Sequence, residues 1–290
     1  MHLVTLLAFV ALVVQTLTPD FGATAQEAVE ATPGSEMSDS VNIGDRSLAL
    51  ECTGSGGPTV VLDHGQDGSG VDLIGLQHEL ARDTLVCRYD RAGLGQSDPV
   101  PFPRTAADAV ADLHGLLSAA AVPGPYVLVG QSVGGVFVQL FARTYPEEVA
   151  GVVAMNAVPP AGPWLDRALA LMTEQERAEE EAYYRGEGEG EQFDWYASFT
   201  ELDAAPAPPD VPFLVLISTI AQCESPDDVC GRTYGVYETV MRELADSWPQ
   251  GRFVQIETGH EIFQSPDAVI AIRRVIEAAR DPSAWATPSA

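Results

Sequence analysis

The chain has 290 residues, 46% of them hydrophobic, enough to bury one sizeable core and little more than one insertion into it. A formal charge of −27 makes phosphate backbones and anionic lipid surfaces poor partners, so nucleic acid is not expected to bind. Lysine is absent, which excludes a P-loop lysine and any Schiff-base mechanism.

The chain opens on an apolar run, Leu3 to Leu17, in which no charge occurs before Asp20. Ala23-Thr24-Ala25 ahead of Gln26 fits a signal-peptidase site, so residues 1–25 are predicted to be a signal peptide cleaved after Ala25. That implies a secreted or periplasmic, cell-envelope protein with no stable membrane insertion afterwards, because the run is shorter than the roughly 20 residues of a spanning helix. The alternative is an uncleaved anchor, since Met1-His2 lacks the usual positive charge. Residues 26–40 are polar and read as a disordered tether.

From there, short β-branched runs alternate with longer amphipathic segments, the pattern of a largely parallel α/β sheet. Strands are predicted at Leu48 to Cys52, Thr59 to Asp63, Thr84 to Tyr89, Tyr126 to Gly130, Gly151 to Met155, Phe213 to Ser218 and Arg252 to Glu257. Helices are predicted at Val71 to Arg82, Thr105 to Ala121, Val133 to Tyr145, Tyr234 to Ser247 and Pro266 to Arg280. Residues 159–210 are Glu-rich and separate two strands without supplying one, so they read as a helical cap inserted into a core of 41–158 and 211–290.

Cys52, Cys87, Cys223 and Cys230 are an even set in a chain expected to leave the cytoplasm, which favours disulfides. Four cysteines allow three pairings, and Cys223 with Cys230 closes a short loop. No histidine lies at ligand spacing from either pair, so no metal is expected.

Gly130-Gln131-Ser132-Val133-Gly134 is a G-x-S-x-G motif, entered from an apolar strand and left through an amphipathic helix. Glycines at its ends permit a bend tight enough to project the Ser132 hydroxyl above the sheet, with the helix N-terminus aimed at developing negative charge. A serine needs a base, and His260 follows the last predicted strand in Thr258-Gly259-His260. His78 and His114 fall inside helical patterns. Trp164, Leu165, Phe193, Trp195, Tyr196 and Phe199 in the cap are candidates to hold an acyl or aryl group, or equally to form the cap's own core.

Four features occur in order: His64-Gly65 after a strand, Tyr89-Asp90-Arg91-Ala92-Gly93-Leu94-Gly95-Gln96-Ser97, the Gly130 to Gly134 bend, and Gly259-His260. In these the chain resembles an α/β-hydrolase of the lipase, esterase and haloperoxidase-like branch across roughly Leu48 to Arg280. The resemblance implies a mostly parallel eight-stranded sheet flanked by helices, with the cap after the sixth strand. It also implies no cofactor, an oxyanion hole from the main-chain N–H groups of Gln66 and Val133, and a structural role for His64. The family's strand order sets the second strand beside the fourth, hence a Cys52–Cys87 disulfide.

The family's acid follows either the sixth or the seventh strand. After the sixth, this chain has Asn156, a neutral amide. The acid is therefore expected between Cys223 and Cys230, with Asp228 first and Asp227 and Glu224 as alternates. Gln131 stands where relatives commonly carry His. The expected activity is cleavage of a small carboxylic ester through an acyl-enzyme on Ser132, with lactone, amide or carbon–carbon bond hydrolysis as variants. A non-catalytic ligand-binding protein on the same scaffold is the alternative.

Overall fold

A computed structural model describes residues 37–219 and 223–286. The predicted signal peptide and its cleavage site lie outside the described residues. Eight strands form one sheet: β1 (Met37–Asn42), β2 (Ser47–Thr53), β3 (Thr59–Asp63), β4 (Val86–Tyr89), β5 (Tyr126–Gln131), β6 (Val149–Met155), β7 (Pro212–Ser218) and β8 (Gln250–Ile256). Their spatial order is β1-β2-β4-β3-β5-β6-β7-β8, antiparallel at β1-β2 and β2-β4 and parallel elsewhere. Residues 37–40, expected in the tether, belong instead to β1. An edge strand needs only one hydrogen-bonded neighbour, and Met37-Ser38-Asp39-Ser40 carries no apolar alternation to betray it.

Among the described residues, the α-helices longer than one turn that connect and cover the strands are α1 (Ile74–Leu80), α2 (Ala106–Ala119), α3 (Gly134–Thr144), α4 (Ala161–Ala168), α5 (Glu174–Tyr184), α6 (Trp195–Ala204), α7 (Val229–Asp246) and α8 (Pro266–Arg280). The central strands are apolar on both faces because both faces are covered. Along β7, Phe213, Val215 and Ile217 point to the side of α2, α3 and α7, while Leu214 and Leu216 point to the side of α1 and α8. β3, β5 and β6 alternate in the same way, with Val61, Leu128 and Val152 on the first side and Leu62, Val129 and Val153 on the second. Each such side chain, fully buried, contributes on the order of 1.5–3 kcal/mol.

Cys52 and Cys87 face each other directly across β2 and β4 and are joined by a disulfide. A second disulfide joins Cys223 to Cys230. Helix α7 begins earlier than predicted, at Val229, so Cys230 sits in its first turn and Asp228 is its N-cap. Three helices, α4 to α6, occupy the insertion between β6 and β7.

Candidate active site

β5 runs directly into Ser132 and α3 runs out of it. Ser132 has φ 54°, a left-handed conformation that costs a non-glycine residue about 1–3 kcal/mol and persists only where neighbours over-determine it. Here the Ser132 N–H donates to Met155 O (2.8 Å), and Ser132 O accepts from Gly135 N–H (3.0 Å) and Val158 N–H (3.3 Å). A Cβ at Gly130 would collide with the carbonyl of Gly134, and one at Gly134 would press on Asp63 O at 2.7 Å. Nothing larger than glycine fits at either end of the bend.

His260 follows β8 on a loop that two neutral side chains hold. Asn156 directly follows β6 and Ser218 ends β7, and both are buried. The Asn156 amide donates to the main-chain oxygen of His260 (3.1 Å) and to Ser218 Oγ (2.8 Å), and Asn156 Oδ1 accepts from Ser218 N–H (2.8 Å). Ser218 Oγ donates in turn to Gly259 O (2.6 Å). Asn156, noted in the sequence only as a missing acid, is thus part of a clasp on the main chain that carries His260. Its side-chain N–H is what an aspartate could not offer to a carbonyl.

The imidazole Nε2 lies 3.3 Å from Gln131 Nε2, and among the described residues it makes no hydrogen bond to Ser132 in this conformation. His260 is exposed on one side, and partial desolvation on the protein side lowers its pKa from the ordinary 6.5, opposed by the nearby Glu261 carboxylate. Neutral pH therefore finds it unprotonated and able to accept a proton.

Asp228 does not reach His260. Its two oxygens accept from Gly231 N–H (2.7 Å) and Ser225 N–H (2.8 Å), sealing the start of α7 and holding its carboxyl below the usual range. An aspartate directly before a helix is a strong N-cap, and that local demand has taken the carboxylate expected of the triad. Glu224 and Asp227 face solvent. Among the described residues no carboxylate is hydrogen-bonded to the His260 ring.

On the other side of Ser132, the loop after β3 is tied by a buried ion cluster that the sequence did not announce. Arg91 donates to Asp63 Oδ1 (2.5 Å), to both oxygens of Glu191 (2.7 and 2.6 Å), to His64 O (2.6 Å) and to Gly65 O (2.7 Å). Asp63, Arg91 and Glu191 are each at most 2% exposed. The carboxylates keep the guanidinium charged against the pull of burial. Glu191 also accepts from Asp67 N–H (3.2 Å), its own N–H donates to Asp67 Oδ1 (2.6 Å), and Gln66 Nε2 donates to its carbonyl (2.7 Å).

This cluster aims a donor. In a trans peptide the C=O and the following N–H point opposite ways, so fixing Gly65 O on Arg91 turns the Gln66 N–H away from Arg91. Neither Gln66 N–H nor Val133 N–H meets a main-chain acceptor among the described residues. His64 is buried, held well below its ordinary pKa by burial and by Arg91, and its Nδ1 lies 2.8 Å from Gly65 O. It is a neutral strut of this loop, as its position implied. Arg91 was visible in the sequence inside Tyr89 to Ser97 without an assigned role, and Glu191 was hidden in a run that looked like solvated charge.

Ser132 and His260 line two cavities. One, of about 450 Å³, lies on the oxyanion-loop side, with Gly65, Gln66 and Gln131 in its wall. The other, of about 310 Å³, is walled by the insertion through Trp164, Met172 and Glu180 and by α7 through Thr233, Tyr234 and Tyr237. Of the expected substrate-binding aromatics, only Trp164 stands at this cavity. Phe193 and Trp195 are buried core, packed on Phe137 of α3 at centroid distances of 4.8 and 6.0 Å. Their apolar surface is used to dock the insertion on the sheet's helices, and α7, predicted as a helix but given no part in the site, supplies the opposite wall.

The profile described as "Alpha/beta hydrolase family" matches residues 60–272. The chain belongs to that family. Among curated proteins this alpha/beta hydrolase is 41% identical over 78 residues to an uncharacterized protein of Schizosaccharomyces pombe, 27% of this chain and 15% of that one. It is 35% identical over 113 residues to a pimeloyl-[acyl-carrier protein] methyl ester esterase of Chromobacterium violaceum, 39% of this chain and 42% of the other. The matches span less than half the length of these curated relatives. Among solved structures, a thermophilic esterase from Thermogutta terrifontis aligns with TM-score 0.56 at 22% identity, covering 84% of this chain and 99% of that one, which speaks to fold.

Proposed function

We propose that this alpha/beta hydrolase is an exported serine hydrolase that cleaves a small carboxylic ester through an acyl-enzyme on Ser132. The reading is carried by one observation: a serine locked in a left-handed bend at the head of α3, sharing cavity walls with His260. His260 Nε2, released by the Gln131 amide, takes the Ser132 proton as Oγ bonds to the ester carbon. Catalytic hydrogen bonds of this kind often close only when substrate arrives. The carbonyl oxygen becomes an oxyanion accepted by Gln66 and Val133 N–H, each donor contributing roughly 3 kcal/mol. Collapse expels the alkoxide, which takes the proton from His260. Water then attacks the acyl-enzyme, with His260 again as base.

The negative charge that favours the imidazolium comes from Glu261, beside the ring without a hydrogen bond to it. A base of this kind suits a slow enzyme, since loss of a properly placed carboxylate costs serine proteases up to about 10⁴ in kcat. Relatives named as esterases agree with ester chemistry. The same missing carboxylate supports the second reading, a ligand-binding protein on this scaffold.

A fluorophosphonate probe separates the two. The wild type is expected to be labelled and to hydrolyse p-nitrophenyl acetate, and Ser132→Ala to do neither. A wild type inert to both would leave the binding reading. Export predicts that protein recovered from the culture medium begins at Gln26, which N-terminal sequencing tests.

A further inference from the structure

The cavity between the insertion and α7 is chemically one-sided. Every hydroxyl in its α7 wall donates to a main-chain carbonyl: Tyr234 to Ser218 O (2.8 Å), Tyr237 to Ala157 O (3.1 Å) and Thr233 to Val229 O (2.7 Å). The Trp164 indole N–H is likewise committed, to Glu180 Oε1 (2.5 Å). Among the described residues, no Arg lines this cavity. A substrate carboxylate or phosphate would find no donor in that wall. What the wall does offer is an acceptor, because among the described residues the second oxygen of Glu180 has no partner.

Two aromatic rings share the cavity with that carboxylate. Trp164 and Tyr237 meet edge to face, with centroids 6.3 Å apart and planes at 89°, and both line the cavity. Electron-rich rings in one cavity with a half-buried carboxylate suit a cation better than a neutral group, since ring faces and carboxylate alike attract positive charge and neither donates a hydrogen bond.

We propose that Glu180, Trp164 and Tyr237 form a subsite for an ammonium group, so that the substrate is an ester carrying a quaternary or protonated amine. This deepens the serine hydrolase reading and rests on it. The subsite itself can be tested without turnover.

Two p-nitrophenyl esters of equal shape make the probe: 4-(trimethylammonio)butanoate and its neutral carbon analogue, 5,5-dimethylhexanoate. At fixed ionic strength the wild type is expected to favour the cationic ester in kcat/KM by about tenfold or more. In Glu180→Gln that preference should vanish. In Glu147→Gln, which removes the same charge from an exposed site before β6, at the opposite end of the parallel strands from Ser132, it should remain. Calorimetry with tetramethylammonium chloride, against an equal concentration of sodium chloride, should give saturable binding that Glu180→Gln loses. Equal handling of the two esters, or a preference that Glu147→Gln abolishes as fully as Glu180→Gln, would overturn the proposal. If no ester is cleaved, the hydrolase reading fails, and the calorimetry alone decides the subsite.

Discussion

The two sides of Ser132 are built from different materials. The loop of His64 to Asp67 is fixed by a desolvated guanidinium and two carboxylates, whereas the loop of Gly259 and His260 is fixed by an amide, a hydroxyl and main-chain oxygens. Charges buried at this depth tolerate little displacement, because losing one partner strands the others. Neutral hydrogen bonds net about 1 kcal/mol each and let a segment shift. On the proposed mechanism, the contrast teaches that the donors for the oxyanion are set before substrate arrives, while the base keeps freedom to exchange Gln131 for Ser132.

The largest effect should come from breaking the rigid side. Arg91→Met leaves Asp63 and Glu191 buried without a counter-ion and is expected to lower stability by about 3–5 kcal/mol in urea unfolding. A loss below 1 kcal/mol would mean that the cluster is not what fixes the loop. On the softer side, Asn156→Asp sets a carboxylate against the His260 carbonyl and should lower kcat/KM by about 10- to 100-fold, the equivalent of an unsatisfied buried group. A faster enzyme would show instead that a missing acid, and not a missing clasp, limits the base.

The pH profile sharpens the same point. In the proposed mechanism neutral His260 is the working form, and desolvation lowers its pKa, so activity should persist as pH falls through 6.5 and decline only below it. An acid limb above 6.5 would require a carboxylate on the ring. The smallest effect is expected from Asp228→Ala, a loss of about 1 kcal/mol in stability from the α7 cap with kcat within about twofold. A kcat collapse there would mean that the cap opens to deliver the acid.

Much of this was readable from the residues. Continuous apolar runs such as Val60-Val61-Leu62 mark strands covered on both faces, and Gly130 and Gly134 mark a bend that excludes side chains. Local signals of that kind survive folding because they are satisfied locally. β1 escaped because an edge strand is held by main-chain bonds, which leave no trace in side-chain pattern. Asp228 was misread because an aspartate in a loop and an aspartate capping a helix look alike until the helix start is known. The Arg91–Glu191 pair spans 100 residues and joins the core to the insertion, and no periodicity reports a contact of that range.

That contact makes the insertion less interchangeable than its position suggests. Insertions between these strands look modular, and grafting one from a relative would be the obvious way to retune which compounds are accepted. Here the graft would also carry off Glu191, and with it the anchor for Asp67 and half the counter-charge of Arg91. Any exchange that omits a carboxylate at that point should cost turnover along with selectivity, so the two properties cannot be engineered independently.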